Sequence, residues 1–195
     1  MFSLFIDTHD KDLIIALYKD GKVICEKKKE SMRNHSDYTM PLIEEILIEN
    51  NITVKELNEV LVVNGPGSFT GVRIGVTIAK TLAYTLNIPI KTITSLEMYA
   101  VSENKKDIKI PIIRDVKGVF YGEFNKNNEL KDEMKYLNNK EFEEYLNNNN
   151  YNDYVIEDSK VDLNEIYKHL LNVQTTNPHA VNPIYIKVIE ALKND

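Results

Sequence analysis

The residues whose types and spacing fit them for chemistry are few in this 195-residue chain. They are the glycine-rich run Gly65-Pro66-Gly67-Ser68-Phe69-Thr70-Gly71, the carboxylate of Asp7-Thr8, and four scattered histidines. An apolar run, Val60–Val63, stops at Asn64 just before the glycines, and a helix-period segment follows over Thr70–Leu86. A strand, a tight turn and a helix start in succession leave backbone N–H groups unpaired at the positive end of a helix dipole. Such a junction can hold an anion or pack closely on another backbone. Known phosphate loops do not match it. Gly71 is followed by Val72-Arg73 instead of the Lys-Ser/Thr of a Walker loop. Glycines at 65, 67 and 71 are spaced one residue too wide for the dinucleotide fingerprint. From the residues alone, both uses of the junction stay open.

Nucleophilic and metal chemistry find little support. Ser68 lies in the turn without a Gly-x-Ser-x-Gly context, so its expected role, or that of Thr70, is to cap the following helix. His9, His35, His169 and His179 form no pair at i, i+4. Arg73 falls in the first turn of its helix, where the dipole favours negative charge. A guanidinium held for a partner carboxylate explains it better than a solvated one.

Several elements must position these residues. Phe2–Ile6 reads as a buried strand, and Leu13–Tyr18 and Val23–Lys27 flank Asp20-Gly21, a hairpin signal. A helix is predicted over Asp37–Asn50, with Met40, Ile43 and Leu47 as its core stripe, Tyr38, Leu42 and Ile46 as a flanking ridge, and Pro41 in its first turn or kinking it. Thr53 and Glu56 form a capping box. A strand at Ile90–Thr94 and a helix from Ser95 follow the junction. The order then recurs, with strands at Lys109–Asp115, Val119–Asn125 and Met134–Leu137, a helix at Lys140–Leu146, a strand at Tyr154–Glu157 and a helix at Val161–Leu171. Two βββαβα copies point to an α/β protein of the duplicated ribonuclease-H-like architecture found in the actin, Hsp70 and sugar-kinase superfamily. The expected domains are 1–100 and a smaller, truncated 101–195, with an extended segment at Asn172–Asn182 that lets the tail return to another element.

Composition narrows the partners. Hydrophobic residues make up 43% and charged ones 28%, as in ordinary globular proteins. A net charge of −6 argues against tight, independent binding of nucleic acid. The single Cys25 excludes an internal disulfide. Without a signal peptide or an apolar run of spanning length, a cytoplasmic location away from membranes is expected.

The string GPGSFTGVRIG closely resembles the TsaB (YeaZ) family of tRNA threonylcarbamoyladenosine (t6A) biosynthesis proteins. The opening LFIDTHDKDLIIALYKDGKV, the helix in RNHSDYTMPLIEEIL, the stretch IPIIRDVKGVFYGEF and the ending NPIYIK are similar to the family as well, most densely through about residue 124. At RDVKGVFYGEF the chain departs from the family pattern, with Val116-Lys117 in place of Ala-Arg. The resemblance implies the same duplicated fold. It also implies a non-catalytic partner of TsaD, the catalytic paralogue, whose His-x-x-x-His metal motif aligns with KTITSLEMYA. Ser95 and Tyr99 stand at the two histidine positions, and neither is a good ligand in place of imidazole. Cofactors are therefore expected on the partners, ATP and metal included, with none bound by this chain alone.

The two helices that flank the junction suggest where a partner binds. Val72, Val76, Ala79 and Ala83 line one side of the second, and Ile74 and Ile78 extend its apolar arc past half the circumference. The pattern allows either a second subunit or the rest of the chain to cover the excess. Carried over from the family, the interface comprises His35, Tyr38, Leu42, Glu45, Arg73, Ile74, Thr77 and Ile78. The implied partners are TsaD, the ATPase TsaE, a second copy when TsaD is absent, and tRNA only through the complex. The alternative is a stand-alone ATPase or small-molecule kinase of the same superfamily, with Asp7 and Thr8 at a vestigial nucleotide site where the carboxylate would hold magnesium. The plainer role for Asp7 is to cap its own turn.

Overall fold

A computed structural model describes residues 1–30, 34–103, 105–157 and 161–187. Its first sheet is five-stranded, in the order β3-β2-β1-β4-β5. The strands are β1 (Phe2–Asp7), β2 (Asp12–Lys19), β3 (Lys22–Glu30), β4 (Leu57–Val63) and β5 (Ile90–Ile93). The first three run antiparallel, and β4 and β5 join β1 in parallel. The β2–β3 hairpin turns at Asp20 and Gly21, both at positive φ, as an Asp-Gly pair demands. Thr53 and Glu56 form the expected capping box ahead of β4.

Side chains of β1 alternate between two buried faces. Leu4 and Ile6 join the core beneath helices α1 (His35–Glu49) and α2 (Phe69–Leu86). Ser3 points the other way, where its hydroxyl donates to buried Glu59 at 2.6 Å and the Tyr167 hydroxyl donates to the same carboxylate at 3.3 Å. Tyr167 belongs to helix α5 (Leu163–Leu171), whose ring also lies 4.8 Å from that of Tyr18.

The second sheet has the order β10-β6-β7-β9, from β6 (Ile108–Asp115), β7 (Gly118–Tyr121), β9 (Lys135–Asn138) and β10 (Val155–Ile156). The short β8 (Phe124–Asn125) pairs with the opening residues of β6, on the side that β7 occupies farther along. The expected strand Val119–Asn125 is thus one strand interrupted at Gly122-Glu123. Read as β9-β7-β6-β10, this sheet repeats the 3-2-1-4 order of the first, including the parallel pair β6–β10. Helix α4 (Asn139–Asn149) sits at the chain position equivalent to α1, between the third and fourth strands. The duplicated ribonuclease-H-like fold is present, and among the described residues the second copy has no counterpart of β5.

The chain divides into units of Met1–Ser95 with Asp162–Pro183, and Leu96–Val161 with Ile184–Asp195. This differs from a single cut at residue 100. Helix α5 packs on the first sheet, where Tyr18 and Glu59 offer it buried polar partners: the Tyr18 hydroxyl donates to the Leu163 carbonyl at 2.8 Å, and the Tyr167 hydroxyl donates to Glu59. In the second unit, Lys109 is buried on β6 and donates to the Ala100 carbonyl at 3.0 Å, near the end of helix α3 (Ser95–Ser102).

Candidate functional site

The glycine junction is built against the turn that follows β1. Ser68 N–H donates to the His9 carbonyl at 2.7 Å, and the Thr8 hydroxyl donates to the Gly71 carbonyl at 2.7 Å. A Cβ on Gly71 would collide with the Thr8 carbonyl oxygen, and one on Gly67 with that of His9. Ser68 caps α2, its hydroxyl accepting from Gly71 N–H at 3.2 Å, while Val72 N–H donates to the Ser68 carbonyl at 2.9 Å. Of the two uses open to such a junction, close packing on another backbone is the one observed. Pro66 takes part on the opposite side: its carbonyl accepts from the Ser95 hydroxyl, and Ser95 N–H donates to the Gly65 carbonyl at 3.0 Å. Ser95 therefore ties the start of α3 to the junction, and Tyr99 is buried one turn further along α3.

Asp7 is buried at the end of β1. One of its oxygens, Oδ1, accepts from His9 N–H at 3.0 Å, the local turn cap expected of it, and contacts His9 Nδ1 at 2.7 Å. Its Oδ2 has no hydrogen-bond partner among the described residues. Burial pushes the His9 imidazole pKa down, but the charge and hydrogen bond of Asp7, with Asp10 beyond it, more than offset this and leave the pKa above its ordinary 6.5. The sequence marked His9 only as one of four histidines without an i, i+4 mate; the signal for its role was a histidine two residues after a strand-end aspartate. Asp115, the strand-end counterpart in the second unit, has its own partners, Lys187 at 2.7 Å and the Tyr136 hydroxyl at 3.3 Å. Its carboxyl is held below the usual range, burial notwithstanding, chiefly by the Lys187 hydrogen bond. Among the described residues no group of three or more His, Cys, Asp or Glu side chains could hold a metal ion.

The same β1–β2 turn sets the start of α1. His35 is buried, and its Nε2 lies 2.7 Å from the Asp10 carbonyl, which only a ring N–H can satisfy. That anchor fixes the phase of α1, whose buried stripe is His35, Thr39, Ile43, Ile46 and Leu47. Met40, expected in the core, is 47% exposed, and Ile46, expected on the ridge, is fully buried. The polar His35 and Thr39 disguised the true stripe. Pro41 lies beyond the first turn, so the Asp37 carbonyl lacks its intrahelical donor.

Tyr38 and Leu42 of α1 and Ile74 and Ile78 of α2 are half-buried, whereas Thr77 is exposed. These helices pack against each other, so the four side chains flank one seam. Around it, Lys29 Nζ lies 3.7 Å from the centre of the Tyr38 ring, and Lys27 donates to Glu45 at 2.9 Å and Glu49 at 2.6 Å. Arg73, read from sequence as held for a partner carboxylate, stacks its guanidinium 3.8 Å from the Phe69 ring centre one turn earlier on its own helix. The structure thus brings Tyr38, Leu42, Glu45, Ile74, Thr77 and Ile78 to the helix pair and turns His35 inward.

Comparison with known proteins agrees with this framework. The model of TsaD, tRNA N6-adenosine threonylcarbamoyltransferase, matches residues 23–118. The chain is 39% identical over 136 residues to the tRNA threonylcarbamoyladenosine biosynthesis protein TsaB of Bacillus subtilis, covering 69% of this chain and 59% of that protein. It is 36% identical over 131 residues to TsaB of Buchnera aphidicola from Schizaphis graminum, covering 65% of this chain and 62% of the relative. The chain belongs to the TsaB (YeaZ) family. Its fold agrees with that of YeaZ from Pseudomonas aeruginosa, at a TM-score of 0.76 and 16% identity over 94% of this chain and all of that one. The matched region spans about 59% and 62% of the two TsaB relatives' own lengths. No helix among the described residues is long and apolar enough to cross a membrane.

Proposed function

We propose that this chain is a non-catalytic subunit in tRNA t6A biosynthesis, docking a TsaD-type protein through the α1–α2 pair. The observation that carries the reading is the seam of half-buried Tyr38, Leu42, Ile74 and Ile78, apolar surface on two helices set side by side. Paired helices of this kind bury such a ridge against the matching pair of a second protein. TsaB is the name of the relatives, and a TsaD model matches the segment that includes both helices. In this reading Ser95 and Tyr99 serve packing, the Asp7 carboxylate is committed to its turn, and ATP and metal are held by TsaD and TsaE. The chain would act from the cytoplasm, stabilise TsaD, meet tRNA only within the complex, and use the same seam for a second copy when TsaD is absent.

The test is co-elution with a TsaD-type protein on size exclusion. Wild type should form a stoichiometric complex, and Leu42→Glu should abolish it while leaving the circular dichroism of the free chain intact. A complex that survives Leu42→Glu overturns the assigned face.

A further inference from the structure

A cleft of about 310 Å³ lies beside the second half of α2, lined by Thr77, Lys80, Thr81, Tyr84, Pro178 and His179. Its far wall is the segment that returns from α5. That wall is firmly attached: Thr176 N–H donates to the Ile90 carbonyl at 2.9 Å, Val181 is buried in the core, and Asn64 Nδ2 donates to the Asn182 carbonyl at 3.4 Å. A single turn of 3₁₀ helix, Pro178–Ala180, places the His179 ring edge-on to Tyr84, 4.8 Å between centres. Lys80 Nζ donates to the His179 carbonyl at 3.3 Å, which holds the ammonium at the cleft. The Thr81 hydroxyl donates to the Thr77 carbonyl at 2.8 Å.

Charge distinguishes this region from the rest of an acidic protein. Helix α2 contains Arg73 and Lys80 and no Asp or Glu, whereas α1 contains Asp37, Glu44, Glu45 and Glu49 and no Lys or Arg. Lys80 follows Arg73 by two helical turns, about 10 Å along the axis. Thr77, between them, lies on both the seam and the cleft rim, so a protein seated on the seam also covers the cleft. Tyr84 is 64% exposed there, a large ring that such a partner would bury. A carboxylate entering the cleft would meet an ammonium already fixed in place, and exclusion of water by the partner would strengthen the pairing.

We propose that this cleft is a socket for an acidic side chain of the protein that docks on α1 and α2, an inference that rests on the docking reading above. The socket makes Lys80 a determinant of partner choice, with Tyr84 and His179 as its aromatic wall.

Titration calorimetry of the full chain with a TsaD-type protein, at low and high salt, tests it. Lys80→Met should weaken the complex about tenfold at low salt and flatten its salt dependence, while Lys80→Arg retains both. Tyr84→Ala should weaken it as well, with the salt dependence kept. If wild type binds and Leu42→Glu does not, but Lys80→Met binds as wild type with the same salt dependence, the socket is wrong and the docking face stands. If Lys80→Met assembles normally and instead weakens tRNA binding by the assembled complex, the occupant is nucleic acid and the proposal is overturned. Absence of any wild-type complex overturns the docking reading and the socket with it.

Discussion

Asp7 and His9 are both buried and together hold three parts of the first unit. The carboxylate caps the turn, the His9 carbonyl accepts from the first residues before α2, and Asp10 next door anchors His35. Because the folded pKa of His9 is raised, the imidazolium stabilises the fold fully below its ordinary 6.5. That contribution disappears as the pH climbs through the elevated folded value. Wild-type stability in urea should therefore fall across that window above pH 6.5. Asp7→Asn should remove the slope and cost roughly 3 kcal/mol at lower pH, because it strips a buried charge of its partner. An unchanged slope in Asp7→Asn would show that another group titrates. The Asp7-Thr8-His9 triplet was read in sequence only as a strand-end carboxylate; its i, i+2 spacing permits the imidazole to fold back on Asp7, and burial of both side chains is what makes that contact form.

Helix α2 is placed by contact with the backbone of the β1–β2 turn, and glycine makes that contact possible. Gly71→Ala adds a methyl where the Thr8 carbonyl already sits, so α2 must shift or the turn must open. We expect a loss of about 2–3 kcal/mol by chemical denaturation, in line with overpacking of a close contact. Binding to a TsaD-type protein should weaken further than stability alone explains, because the seam moves with the helix. Ser68→Gly, which removes only a cap, should cost a few tenths of a kcal/mol and leave binding nearly intact. The helices themselves were legible from their period and from Asn64-Gly65. Their rotation was not, because α1 buries His35 and Thr39, which a hydrophobic count scores as outward, and leaves Met40 exposed.

At the scale of the molecule, the chain leaves its first unit at Ser95, returns to it at Asp162 and departs again at Pro183. The returning stretch covers the face of the first sheet that carries Ser3, Tyr18 and Glu59, and supplies Val181 to the core on the other face. A chain ending at Val161 would expose that face and leave the Glu59 carboxylate with a single partner, Ser3. It should be recovered as an aggregation-prone species with weakened amide protection in β1 and β2, measured by hydrogen exchange. Native-like protection in the shortened chain would show that the first sheet stands without α5.

What the residues determined unaided was local or periodic: the hairpin at Asp20-Gly21, the capping box at Thr53 and Glu56, the strand–glycine–helix junction, and the repeat that signals a duplicated fold. Each depends on neighbours within a few positions, or on a pattern that survives averaging. Tertiary structure alone decided which sheet α5 serves, which way α1 turns and where the segment after α5 is anchored. Those outcomes depend on distances between residues far apart in the chain, and on which polar groups find partners once water is excluded.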